Sequence, residues 1–121
     1  MTSRTPERAQ FLADILCTFA EGGIQMVGYV LTAETHPDDS GIPEYDSVKV
    51  QYFDEEEIHT VDLDTIAKAF GILRKGEVKY LPEGSRKRLL DDYRELEAGD
   101  IDAVDATNLV EIALFGEVVY G

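Results

Sequence analysis

The chain reads as a single α+β domain over residues 1–121: a small antiparallel sheet of two or three strands packed with about four helices, in the order α-β-β-(β)-α-α-α. Three observations predict this. Apolar residues recur at helical spacing near the start and through the second half, and they alternate with period two in between. Strands come early and helices late, which suits helices gathered on an antiparallel sheet. The most apolar helical pattern lies last, so a buried C-terminal helix is expected as the inner layer.

Thr5-Pro6-Glu7 is a helix start, with a capping hydroxyl, proline at the first position and an acid in the first turn. Phe11, Leu12, Ile15, Leu16 and Phe19 follow on one face, and Glu21-Gly22-Gly23 stops the helix. Residues 24–34 alternate and are rich in β-branched and aromatic side chains, which favours a strand. Both alternating sets are partly apolar, so a central strand covered on both faces is expected. His36 to Pro43 is a loop on composition, expected to be long and mobile. Residues 47–53 form a second strand antiparallel to the first, and residues 58–63 a short third one after the acidic turn 54–57.

Asp62 or Asp64 caps the next helix, whose apolar face is Leu63, Ile66, Ala67, Phe70 and Leu73. Gly71 weakens its second half by roughly 1 kcal/mol. Residues 77–81 are read as extended. Residues 82–98 form a third helix in which Arg86, Lys87 and Arg88 precede the acids, the less favourable order for the dipole. A helix that accepts this order can be using its basic start for contact. Asp102 is the expected N-cap of the last helix. Leu109, Val110, Ile112, Ala113, Leu114 and Phe115 leave only Glu111 polar beyond its first turns, and Gly116 closes it in a left-handed cap. Residues 118–120 are read as a small returning strand.

Charge is the clearest global signal: 25 acidic against 11 basic residues, a net −14. Residues 34–64 hold 11 acids and one base, Lys49, whereas residues 65–88 hold seven bases and two acids. A field of this sign repels nucleic acid and anionic membrane and attracts basic protein surfaces. No segment is long enough to be a membrane span. The opening MTSRTPERAQ lacks the apolar run of a secretory signal, so a cytoplasmic location is expected. The single cysteine, Cys17, excludes an internal disulfide and any zinc site built on two thiolates, and it is read as an inert buried thiol.

Constellations that carry chemistry are sparse. His59 follows four acids and His36 precedes Asp38 and Asp39. Neither has metal-ligand spacing, and a loop or edge-strand histidine beside solvated acids is the simpler reading. Asp100, Asp102, Asn108 and Glu111 overlap a calcium-loop pattern, but Asp105 stands where that loop requires glycine. No serine sits in a nucleophile elbow, no glycine-rich phosphate loop is present, and residues 63–76 lack the second helix of a helix-turn-helix. No catalytic residue, metal or cofactor is therefore expected.

Three segments together resemble a known group. They are Phe11 to Leu16 with Glu21-Gly22-Gly23-Ile24, then Leu63-Asp64-Thr65-Ile66-Ala67, then Ala113-Leu114-Phe115-Gly116-Glu117-Val118-Val119-Tyr120-Gly121. This arrangement is similar to a family of small uncharacterised acidic proteins from actinobacterial phages and prophages. The resemblance implies a setting, the cytoplasm of a bacterial host, and carries no catalytic residues.

The expected function is that of a non-enzymatic phage accessory protein. It would bind a host or phage protein with a basic surface through Asp38, Asp39, Asp54, Glu55, Glu56, Glu57 and Asp62, in a sharper version by mimicking nucleic acid. Arg86, Lys87 and Arg88 are a candidate patch for self-association or for an acidic partner. The alternative is a self-assembling or virion-associated structural protein that forms a symmetric homo-oligomer. A small hydrolase or nucleotide-binding protein comes third.

Overall fold

The computed structural model describes residues 4–120. Helix α1 (Pro6–Thr18) leads through a π turn (Phe19–Gly23) and a 3-10 turn (Ile24–Met26) into strands β1 (Gly28–Pro37), β2 (Pro43–Tyr52) and β3 (His59–Asp62). Helices α2 (Leu63–Lys75), α3 (Glu83–Glu95) and α4 (Ala103–Phe115) follow. The sheet is antiparallel in the order β1-β2-β3. The expected α+β class, strand number and element order are all present. No helix among the described residues is long and apolar enough to cross a membrane.

The core forms where one face of the sheet meets the helices. Val48, Val50 and Tyr52 of β2 point inward with Val61 of β3, against Phe11, Leu12, Ile15 and Leu16 of α1 and Ile66, Phe70 and Leu73 of α2. Helix α4 lies innermost: Leu109, Val110, Ile112 and Ala113 are buried, and so are Asp105, Thr107 and Glu111. Gly23 explains how the chain turns onto this helix. A Cβ there would overlap Thr107 and the Ala103 carbonyl, so only glycine lets the π turn approach so closely.

Several expectations are corrected. The first strand begins at Gly28, because the chain stays helical through Met26 to dock on α4. It is an outer strand. Only Gly28 of β1 is buried, so the hairpin runs past the helices. Its free edge carries register shifts at Val30/Thr32 and Glu34/Thr35, with Glu34, His36 and Pro37, all devices that discourage further pairing. The hairpin loop is short, since strand pairing continues to Pro37↔Pro43. Asp38 ties it, accepting N–H groups from Ser40 at 2.8 Å and Ile42 at 2.9 Å. Residues 78–81 form a turn in place of an extended segment, and α3 ends earlier than expected, at a left-handed Leu96. Helix α2 continues through Gly71.

The basic start of α3 finds its contacts within the chain. Arg86 Nε donates to the Leu73 carbonyl at 2.8 Å, at the end of α2, where a cation suits the dipole. It also pairs with Glu83. Arg88 reaches Asp105 at 2.8 Å and Asp92 at 3.8 Å, joining α3 to the start of α4. The hydrogen bond that Arg88 donates to Asp105 raises the Arg88 pKa, with burial opposing. Asp102 and Asp105 complete a capping box at α4, and Asp62 with Thr65 does the same at α2.

Residues 118–120 do not form the expected strand. Gly116 takes the left-handed cap (φ 80°), and the following chain folds back onto Glu111. Glu111 Oε1 accepts N–H groups from Val119 at 2.7 Å and Tyr120 at 2.5 Å. Substituting Glu111→Ala strands these donors, so the expected loss of stability is about 2–3 kcal/mol. Urea unfolding checks this, and Glu111→Gln, which keeps an acceptor, loses less.

Burial pushes the Asp92 carboxyl above its ordinary value of 3.8, Asp100 adds to the shift and Arg88 opposes it. The folded chain therefore holds this proton to higher pH than the unfolded chain. The associated stability is present below pH 3.8, falls as pH rises through the raised pKa and is level beyond it. Thermal melts of Asp92→Asn across pH 4–7 are expected to decline less with rising pH than those of the parent.

Candidate functional site

The densest chemistry lies where the β2–β3 loop meets the end of α4. Four successive acids at 54–57 cannot continue a half-buried strand, so the ladder ends at Tyr52. The loop is then tied at several points. Glu55 N–H donates to the Tyr52 carbonyl at 3.1 Å and Phe53 N–H to the Val27 carbonyl at 2.9 Å. The Gln51 side chain donates to the carbonyls of Glu55 at 3.1 Å and Glu56 at 3.3 Å.

This geometry turns Glu55 inward and leaves Asp54, Glu56 and Glu57 exposed. Glu55 Oε1 lies 2.9 Å from His59 Nε2. The His59 side chain is only 10% exposed, walled by Tyr52 (centroids 5.8 Å apart) and Phe115 (5.4 Å). His59 is an edge-strand histidine beside acids, as its sequence context predicts, but its ring is largely buried. The wall that buries it comes from Phe115, distant in the chain, and no local signal announces that contact. Tyr120 stacks on Tyr52 at 4.9 Å and 20°. Burial is the largest cause raising the Tyr120 phenol pKa, and Glu55, Asp54 and Glu111 add to it. Burial likewise raises the Tyr52 phenol, followed by Glu111 and Glu55.

Glu55, Glu57 and His59 place three ligand atoms within 4.8 Å of one another. One imidazole with two carboxylates is a donor set suited to zinc or manganese. The hydrogen bond between Glu55 and His59 holds two of these groups together without an ion. Among the described residues, no second histidine or thiol joins this group.

The seven acids singled out in the sequence do not gather in one place. Asp38 and Asp39 sit at the tip of the β1–β2 hairpin and residues 54–57 beyond its other end. The ten-residue strands between them put these groups about 30 Å apart. Asp62 lies between, opposite Ser47, and its carboxylate is engaged in capping α2 at 2.9 Å from Thr65 N. Of Arg86, Lys87 and Arg88, only Lys87 enters no ion pair among the described residues. The free thiol of Cys17 is half-buried, and burial with the nearby Glu21 raises its pKa.

Large apolar side chains flank the exposed acids. Phe53 is 52% exposed and Ile58 56%, and Tyr29 packs edge-on against Phe53 at 4.9 Å. Comparison with protein-family models, curated proteins and solved structures finds no match to this chain.

The Tyr52 hydroxyl is fully buried and has no hydrogen-bond partner among the described residues. Removing an unpaired buried hydroxyl relieves its desolvation cost, so Tyr52→Phe is expected to stabilise the fold by about 1 kcal/mol. Denaturant unfolding of the two proteins side by side checks this.

Proposed function

We propose that this chain is a non-enzymatic binding protein that engages a basic protein surface through the β2–β3 loop. The observation that carries the reading is the composition of that loop. Asp54, Glu56 and Glu57 stand in solvent beside exposed Phe53 and Ile58. Protein interfaces combine an apolar anchor with a charged rim in this way, and the anchor supplies most of the affinity. A net charge of −14 steers a basic partner toward the molecule and disfavours nucleic acid. The resemblance to phage and prophage proteins supplies the setting of this proposal: an accessory protein acting on a host or phage protein in the bacterial cytoplasm.

The acids at the hairpin tip belong to a separate surface, which sharpens the test. Affinity capture from host lysate is expected to retain a basic protein at low salt and release it at high salt. The triple variant Asp54→Asn, Glu56→Gln, Glu57→Gln loses that protein, and Phe53→Ser loses it as well. Asp39→Asn, at the other end of the hairpin, retains it. Capture that survives both loop variants overturns the assignment.

A further inference from the structure

We propose that a second site, the cleft around Tyr93 between α1, α2 and α3, binds a phosphate group carried by a small molecule. The cleft encloses about 420 Å³ and is lined by Arg8, Arg74 and Arg94 with Leu90 and Tyr93. Its position follows from the core. Phe11 of α1, Phe70 of α2 and Tyr93 of α3 form an aromatic cluster in which Phe70 and Tyr93 stack at 4.6 Å and 19°. This cluster fixes the ring around which the guanidiniums gather. Arg8 Cζ lies 4.6 Å from the Tyr93 centroid, and its Nη1 donates to the phenolic oxygen. Arg74 Cζ lies 5.6 Å from the same centroid.

Two of the three arginines take no carboxylate among the described residues, which is unusual for this chain. With 25 acids against 11 bases, carboxylates are plentiful; Arg4 and Arg86 each pair with one and Arg88 with two. Arg8 and Arg74 converge on one ring with no ion pair among the described residues. Arg94, at the rim, pairs only with Asp91 on its own helix at 2.6 Å. Like charges held together repel, and an anion placed between them relieves that cost.

The guanidinium fork matches phosphate oxygens in geometry as well as charge. The forks of Arg8 and Arg74 together offer more donors than one carboxylate can accept, which selects phosphate over a single carboxylate. Leu90 and the tyrosine ring leave an apolar wall for the rest of the ligand. Size and charge both indicate a small molecule. A polyanion such as nucleic acid or an acidic membrane would meet the repulsive field of the whole chain. The cleft lies at the opposite end of α2 from β3, so its test is separate from that of the acidic loop.

The test is calorimetric titration of the full-length chain at low salt in a phosphate-free buffer, with sodium pyrophosphate and, in parallel, sodium succinate. Saturable binding of pyrophosphate at one site is expected, with succinate binding more weakly. Arg74→Ala is exposed and separable from folding, and it is expected to weaken pyrophosphate binding about tenfold or more. Arg8→Lys keeps the charge but loses the fork, and it also weakens binding. Lys49→Ala, on β2 and outside the cleft, leaves binding unchanged. Circular dichroism confirms that each variant is folded. Absence of saturable pyrophosphate binding overturns the proposal. So does an equal loss with Lys49→Ala, no loss with Arg74→Ala, or succinate binding as tightly as pyrophosphate.

Discussion

A carboxylate in the middle of the most apolar helix is the constraint on which this structure depends. Glu111 is fully buried in α4, and burial of such a group is tolerable only when strong donors meet it. The chain supplies them from its own end, with the N–H groups of Val119 and Tyr120. Gly116 makes the return possible, because its left-handed conformation reverses the chain directly after the helix. Tyr120 is thereby set against Tyr52, and Phe115 against His59. His59 then holds Glu55 and so shapes the loop that carries the exposed acids. One buried acceptor thus organises the tail, the aromatic cluster and the acidic loop.

The rest of the electrostatics follows from scarcity of bases. Where bases are few, their placement decides which acids remain free. Arg88 is committed to the start of α4, and Arg86 to the end of α2, so two of the three bases in that run serve internal packing. This also explains why α3 accepts bases at its own start. Each is unfavourable to the dipole of α3, and Arg86 is favourable to that of the neighbouring helix. The acids of the β2–β3 loop receive no arginine or lysine among the described residues. Glu55 pairs with an imidazole, and Asp54, Glu56 and Glu57 stay exposed.

Local chemistry was legible in the sequence wherever it is decided locally. Thr5 with Pro6, Asp102 and Gly116 act as the caps their residue types predict. The buried face of α4 also follows from its own pattern. What could not be read depends on distant contacts. Residues 24–26 alternate like a strand, yet Gly23 lets the chain dock helically on α4, and that docking wins over local propensity. The first strand carries apolar residues on both faces, a pattern that normally signals cover, yet the helices end before they reach it. Asp62 looked like part of an acidic surface because sequence shows its charge and hides its hydrogen bonds. Arg8, Arg74 and Tyr93 lie far apart in the chain, and nothing in their local patterns links them. Their meeting follows from the packing of Phe11 and Phe70.

These placements bear on what kind of acidic surface the molecule offers. Imitation of nucleic acid calls for a row of charges along an extended face. The hairpin has the necessary length, with acids at its tip and beyond its base. Yet Lys49 stands midway along β2, paired with Thr32 and Thr60, and Asp62 beside it is occupied by its helix. A row interrupted by a cation and by an engaged carboxylate is a poor match for evenly spaced phosphates. The β2–β3 loop is compact, carries its charge next to exposed apolar side chains and is held by several backbone contacts. Such a loop loses little entropy on binding, and its apolar anchors can be desolvated while the charges stay at the rim. A local, anchored contact therefore fits this surface better than an extended electrostatic one.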